Sequence, residues 1–204
     1  MKHLLRFAVA FGILAVPAAA HAQISGGVRA GVNLADLTFD PSPPIDSKNL
    51  VGLVAGAFVT IPLNDVVAFQ PEALFSMQGS KFSAEGMTVK TKIDYLQVPL
   101  LGRFRIARGS PLAILVGPSL GFKTHASFDG PGIPDDFGEE FDDSVKGFDA
   151  GLVAGAAADI GHLVLDGRYT WGLTNLAKDP TSSSGDPGGS AKHRVFSFSA
   201  GVRF

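Results

Sequence analysis

The chain ends in Phe196-Ser197-Phe198-Ser199-Ala200-Gly201-Val202-Arg203-Phe204, a stretch that alternates strictly between two classes of residue. One class is apolar and includes three phenylalanines, and the other consists of serine, glycine and arginine. Because successive side chains of a β-strand point to opposite faces, this period of two predicts a strand with one apolar and one polar face.

The same period of two recurs in seven further segments. In each, bulky apolar residues occupy one face, and glycine, serine, threonine and isolated charges of both signs occupy the other. A tilted strand needs about ten residues to cross a bilayer, and every segment is long enough to do so. With the C-terminal segment they predict eight strands, and they cover residues 24–34, 51–61, 67–77, 96–106, 112–125, 148–160 and 163–173.

The distribution of large side chains between the two faces of the strands indicates which face meets lipid. A soluble lipocalin-type barrel keeps its apolar face inside and its polar face in water. Here the bulky residues suit a lipid-facing exterior, because an eight-stranded barrel has little interior room. Tyr169 and Trp171 on this face fit an aromatic girdle at the membrane interface. We therefore predict a transmembrane barrel, with a soluble periplasmic lipocalin-like binder as the alternative.

The connections between the segments alternate in length. The short ones are 62–65, 107–111 and 161–162, and the long ones are 36–49, 79–89, 127–146 and 177–192. Outer-membrane barrels have short turns in the periplasm and longer loops outside the cell. The pattern predicts an all-β, antiparallel, up-and-down barrel of eight strands in a Gram-negative outer membrane, with both termini on the periplasmic side.

The first 22 residues have the organisation of a secretory signal peptide. Lys2 and Arg6 precede the apolar run Phe7–Val16, which is shorter than the run of residues that a membrane-spanning helix needs. The small-x-small site at 20–22 predicts cleavage before Gln23, which leaves residues 23–204 as one barrel domain. Cysteine is absent, so neither a disulfide nor a lipoprotein anchor is expected, and a formal net charge of −2 argues against a nucleic-acid partner.

Five short stretches are spread over nearly the whole of the expected barrel domain. They are GVNLA at 31–35, QPEAL at 70–74, YLQVPL at 95–100, AILVGPSLG at 113–121 and RYTWGLTN at 168–175. Together they resemble the PorT-like outer-membrane β-barrel proteins, also called the porin-family outer-membrane β-barrel domain. The resemblance implies an eight-stranded barrel in the outer membrane and implies no catalytic residues.

The final residue, Phe204, lies on the apolar face of the last segment. A terminal aromatic residue on an alternating strand is similar to the signal that the barrel-insertion machinery reads. We therefore expect Phe204 to be an insertion signal. The expected partners are this machinery during assembly and the lipid of the outer membrane.

Four charged residues, Arg29, Glu72, Asp166 and Arg168, fall on the predicted inner face. They lie at similar distances from the periplasmic ends of their segments, so we expect one charge network at a single depth of the lumen. Charges in a lumen must be paired or hydrated. The network is interpreted as an electrostatic plug, with an ion pathway or a ligand site as the alternative.

The sequence Gly117-Pro118-Ser119-Leu120-Gly121 matches the G-x-S-x-G motif of hydrolases. That motif requires a sharp strand-to-helix turn, whereas here the strand pattern continues on both sides. Ser119 and His125 would lie about 20 Å apart along one strand, at roughly 3.3 Å per residue. The histidines also lack metal-ligand spacing. We predict no catalytic, cofactor-binding or metal site, and retain a lipid-modifying outer-membrane enzyme as the alternative.

The segment 127–146 is rich in aspartate and glutamate. We predict a solvated surface loop. The alternative is that its carboxylates bind Ca²⁺ or bridge to lipopolysaccharide through divalent ions, although the spacing does not fit an EF-hand.

The whole sequence thus predicts an outer-membrane barrel with a structural, adhesive or narrow-transport role.

Overall fold

Eight antiparallel strands form the whole of the described architecture. The computed structural model describes residues 24–40, 47–84, 87–129, 147–174 and 190–204. The strands are β1 (Ser25–Asp40), β2 (Ser47–Pro62), β3 (Val67–Ala84), β4 (Met87–Arg105), β5 (Leu112–Asp129), β6 (Phe148–Ile160), β7 (Leu163–Gly172) and β8 (Ser190–Arg203). Each pairs with its neighbour in the chain, and β1 pairs with β8, so the sheet closes into a barrel.

This topology confirms the predicted eight-stranded up-and-down barrel. The expected signal peptide and most of the acidic segment 127–146 lie outside the described residues. Within the described ranges, no helix is long and apolar enough to cross a membrane.

The outer surface of the barrel carries the bulky rings, and the interior carries the charges. Phe69, Phe104 and Phe198 are 37, 40 and 50 % exposed, whereas Glu72 and Arg168 are only 4 and 6 % exposed. A soluble lipocalin-type barrel would reverse these positions. The faces therefore agree with a barrel whose exterior meets lipid.

The seam between the first and last strands is closed at its periplasmic end by the backbone of Phe204. The N–H of Gly26 donates to the carbonyl of Phe204 at 3.2 Å, and the N–H of Phe204 donates to the carbonyl of Gly26 at 2.9 Å. From there the β1–β8 register continues without a break from Gly27 opposite Arg203 to Asp40 opposite Ser190.

All four long connections predicted from sequence overlap strands and are wrong in their bounds, two of them over most of their length. Most of 36–49 belongs to β1 and β2, and most of 79–89 belongs to β3 and β4, whose pairing runs on to Ala84 opposite Met87. The alternation of hydrophobicity marks only the part of a strand that faces lipid. Backbone pairing does not require a lipid-facing surface, so the strands continue past the point at which that pattern ends.

The lumen is also more apolar than the sequence predicted. Large side chains fill it together with the small and charged ones; they include Val54, Phe58, Leu74, Tyr95, Leu101, Leu115 and Val153. A dry barrel interior must be filled to protein density. Glycine makes the room, because a Cβ placed at Gly27 would collide with the ring of Phe58. Large aromatic side chains therefore lie inside the barrel as well as on its outer face.

Candidate functional site

Three strands project the four predicted charges into one region of the lumen. Arg29 lies on β1, Glu72 on β3, and Asp166 and Arg168 on β7. Asp166 and Arg168 are two positions apart, so the pleat of β7 places both on its inner face. The structure brings all four side chains within ion-pair distance of one another.

Each arginine of this group contacts both acids. Arg29 Nη1 lies 2.6 Å from Asp166 Oδ2, and its Nη2 lies 3.5 Å from Glu72 Oε1. Arg168 Nη1 lies 2.6 Å from Glu72 Oε2, and its Nε lies 2.7 Å from Asp166 Oδ1. The four residues form a ring of alternating charge, which we call the charge ring.

The charge ring is buried in the lumen, away from bulk water. The exposed fractions of its side chains lie between 0 and 6 %. Removing an isolated charge from water is costly, and only close pairing with further hydrogen bonds offsets that cost. Two positive and two negative groups leave the ring without net charge. It is therefore an internally neutral unit that fills the lumen at this depth.

Neighbouring side chains hold the charge ring in place. Ser199 Oγ donates to Asp166 Oδ2 at 2.9 Å, and Gln70 Nε2 donates to Glu72 Oε1 at 2.6 Å. The guanidinium of Arg29 lies 4.6 Å from the ring centroid of Phe58, which is a cation–π contact. These polar and aromatic neighbours therefore fix the side-chain positions of both acids and of Arg29.

A second charged layer lies on the periplasmic side of the charge ring. Arg103 Nη2 and Arg203 Nη1 lie 2.6 and 3.1 Å from the two carboxylate oxygens of Asp159. Arg103 Nη1 also donates to Gln70 Oε1 at 3.3 Å, and Gln70 in turn contacts Glu72. Gln70 thus connects the two layers into one polar network.

The alternation within their segments puts Arg103, Asp159 and Arg203 on the same face as the charge ring, although alternation alone does not group them. Their common distance from the periplasmic strand ends was the signal that could have joined them. Arg105, which alternation also placed inside, lies exposed at the rim, where its Nη1 is 3.5 Å from the carbonyl of Asp65. The last residues of a strand are open to water, so alternation no longer decides burial there.

A further polar group lies on the extracellular side of the charge ring. Asn33 Nδ2 donates to Ser76 Oγ at 2.9 Å, and Ser197 Oγ donates to Asn33 Oδ1 at 2.8 Å. Farther along, His193 Nδ1 lies 3.3 Å from Asp149 Oδ2, and both side chains are buried. Polar contacts therefore follow the barrel interior over most of its described length.

The cavity beside the charge ring is small. Its volume is about 20 Å³, which is room for about one water molecule. Its lining includes Arg29, Ser119, Asp166, Arg168, Thr170 and Ser199. The arrangement can hold a bound water molecule and can position charges, but it offers no space for a larger solute at this depth.

The G-x-S-x-G motif lies within continuous strand β5, so Ser119 does not stand on a strand-to-helix turn. Ser119 faces the lumen and is buried, whereas His125 is exposed. Among the described residues, no group of three or more histidine, cysteine or acidic side chains has the arrangement of a metal site.

A family model for the outer membrane protein beta-barrel domain matches residues 20–178. The chain belongs to this family. As an outer-membrane β-barrel protein it lies in the lipid of the Gram-negative outer membrane, which confirms the predicted location. No match was found among curated proteins.

Two solved outer-membrane barrels share the fold. Ail, the attachment invasion locus protein of Yersinia pestis, solved with the heparin analogue sucrose octasulfate, has 18% identity and a TM-score of 0.51 over 89% of this chain and 99% of Ail. Neisserial surface protein A has 16% identity and a TM-score of 0.50, over 88% of this chain and 97% of that protein. Identities this low show a common fold alone.

Proposed function

We propose that this outer-membrane barrel is a closed, non-enzymatic scaffold that presents its extracellular connections at the cell surface, in a structural or adhesive role. The observation that carries the proposal is the charge ring. It is neutral, buried and held between opposite walls by hydrogen bonds. A lumen filled in this way resists the passage of ions, because a passing ion would have to break the buried pairs.

The second layer supports the same conclusion. The contacts of Asp159 with Arg103 and Arg203 occupy the lumen below the charge ring. A solute would therefore have to displace two successive sets of ion pairs. Eight-stranded barrels have interiors just wide enough to be filled by side chains.

The arrangement of long and short connections supports a display role. On one side of the barrel, β4 and β5, and β6 and β7, are joined by short turns. On the other side, β5 and β6 are joined through 130–146, and β7 and β8 through 175–189. Ail, a barrel of the same fold, is by its name an attachment protein. By analogy, the longer connections of this chain provide the contact surface.

A catalytic role has less support. The serine of the G-x-S-x-G motif is buried inside the barrel, and His125 lies on the same strand at a distance of about 20 Å by strand rise. A hydrolase requires its base within hydrogen-bond reach of the nucleophile. We extend the proposal to assembly and to the branch of the family. Phe204 acts as the insertion signal, and the chain is a member of the PorT-like branch, a proposal that the five short motifs at 31–35, 70–74, 95–100, 113–121 and 168–175 support.

The experiment that tests the closed scaffold is planar-bilayer conductance of the refolded protein. We expect no channel openings. Reproducible openings of the wild-type protein would instead support the second candidate, a narrow ion pathway. In that case Glu72→Gln, which removes one charge from the ring at constant size, would change the ion selectivity of the current.

A further inference from the structure

The outer wall of the barrel has a groove on its lipid-facing surface, between β5 and β8. Its volume is about 450 Å³, and the residues that border it from the outer face are Leu112, Ala156, Ala158, Leu165, Gly167 and Phe198. Ala157, Asp166 and Ser199 also border it, but they alternate with these residues and point to the lumen, where Ser199 donates a hydrogen bond to Asp166. We call this feature the wall groove.

The floor of the wall groove consists of small residues. Ala158 on β6 is paired with Leu112 on β5 and with Leu165 on β7, so one leucine stands on each side of an alanine. Neighbouring strands lie about 4.8 Å apart, so the two leucines belong to strands about 10 Å apart. Once the leucine side chains are counted, the slot between them is about one hydrocarbon chain wide.

The wall groove becomes broader towards the extracellular side. Ala156 is paired with Gly167, and Gly167 with Phe198 on β8, so small residues of two strands form the floor at this level. A Cβ placed at Gly167 would lie 3.3 Å from Cε1 of Phe198, so the phenylalanine ring borders the space that the glycine leaves. Leu112, Leu165 and Phe198 are all exposed, so the walls project outwards from the sheet.

The wall groove lies in the periplasmic half of the lipid-facing surface. Leu112 is the first residue of β5 and Leu165 the third residue of β7, and both strands follow short turns, which mark the periplasmic side. The hydrocarbon core is about 30 Å thick, and each leaflet spans about half of it. The acyl chains at the level of the wall groove are therefore those of the periplasmic leaflet.

The size and chemistry of the wall groove suit a hydrocarbon chain. Side chains that line a void lose dispersion contacts on one side, so an empty groove is unfavourable. Lipid tails are as apolar as leucine, so shape and packing decide what fills the groove inside a bilayer. A methylene group takes up roughly the volume of a water molecule in the liquid, about 30 Å³, so the groove has room for about fifteen chain carbons. This is the size of one acyl chain of a phospholipid.

We propose that the wall groove is a binding site for one acyl chain of a phospholipid from the periplasmic leaflet. The groove continues the lipid-facing surface of the barrel, and the side chains that border it from outside are all apolar. A second copy of the barrel presents a broad, convex wall, which cannot enter a slot one chain wide. The site is on the outer wall, so it does not depend on whether the lumen conducts.

The test is photo-crosslinking of the refolded protein in phosphatidylethanolamine vesicles in which some of the lipid carries a diazirine on one acyl chain. Mass spectrometry of the digested protein locates the labelled residues. Dispersion contacts are individually weak but add up along a chain, so we expect the labelling of 165–167 to exceed that of the outer face of β2 about ten-fold.

Ala156→Leu/Ala158→Leu fills the floor of the wall groove and should lower the labelling of 165–167 to the level of β2. The matched control is Ala55→Leu/Ala57→Leu, which makes the same change on the exposed outer face of β2, outside the groove, and should leave the labelling of 165–167 unchanged. Heat-modifiable gel mobility verifies folding, and the single change Ala158→Leu replaces the double variant if the latter does not fold.

Native mass spectrometry of the protein extracted in mild detergent identifies the occupant. Wild type should retain one phospholipid that Ala156→Leu/Ala158→Leu does not retain. Retention of a free fatty acid, or of a second copy of the chain that the same variant releases, would overturn the proposal. Equal labelling of the wall groove and of β2 in wild type would also overturn it, because the groove would then have only the lipid contacts of any outer surface.

Discussion

Arg168 on β7 donates to both carboxylate oxygens of Glu72 on β3, at 2.6 Å from Nη1 to Oε2 and 3.0 Å from Nη2 to Oε1. These strands are not neighbours in the barrel, so the bidentate pair spans the lumen. Two parallel hydrogen bonds fix the relative orientation of guanidinium and carboxylate. The pair therefore ties opposite walls of the barrel together.

We expect Glu72→Ala to lower the free energy of unfolding by about 3–5 kcal/mol, the usual cost of removing one partner from a buried ion pair. The change leaves two buried arginines with only Asp166 as their shared acid. Urea titration in detergent or vesicles measures the effect. The control is Arg108→Ala, which breaks an ion pair with Asp65 whose side chains are 82 and 70 % exposed and should hardly change the midpoint. An unchanged unfolding midpoint of Glu72→Ala with altered conductance would favour an ion pathway over a plug.

The double variant Glu72→Met/Arg168→Leu should be more stable than either single variant alone. Apolar residues of similar volume can replace a buried ion pair at little cost, whereas one unpaired charge is expensive. A double-mutant cycle measures the coupling as the failure of the two single effects to add. Additive effects would mean that the pair is hydrated and that the lumen is wetter than the distances indicate.

Gly27→Ala should prevent normal closure at the periplasmic end. A Cβ at this position would collide with the ring of Phe58 and would lie 2.7 Å from the backbone oxygen of Val202. We expect a lower refolding yield and a lower unfolding midpoint, both partly restored by Phe58→Leu. Gly147→Ala is the matched control, since a Cβ there has no neighbour within 4 Å. A Gly27→Ala protein as stable as wild type would show that Phe58 can leave its position.

Phe204→Ser separates assembly from stability. The residue is paired with Gly26 through its backbone, and this pairing does not depend on the side chain. We expect spontaneous refolding in detergent to be nearly unchanged, while the amount of protein in the outer membrane of cells falls. If both fall together, the ring of Phe204 stabilises the barrel and is not needed as a signal.

The number of strands and their two faces could be predicted because both depend on local alternation. Phe69 and Phe198 lie outside and Glu72 inside, as the period of two requires. The charge ring could be anticipated because its members lie at similar distances from the periplasmic ends of their strands. Distance along a strand translates into depth when all strands share one tilt.

Other features depend on relations across the barrel that alternation does not encode. Arg103, Asp159 and Arg203 all lie within two residues of the ends of β4, β6 and β8, which could have grouped them, but which side chains pair there depends on tilt and on side-chain length. The inward ring of Phe58 depends on the glycine opposite it on β1. Strand ends were missed because backbone pairing continues in water, where the hydrophobic pattern is no longer required.

The pairing of β1 with β8 constrains when this protein can become a barrel during its biogenesis. Residues 41–189, about three quarters of the chain, lie between the two strands, so β1 keeps one row of unsatisfied N–H and C=O groups until β8 has been delivered. Closure cannot proceed strand by strand during export. Until β8 has paired, the chain is open and exposes this edge strand, which makes it prone to aggregation.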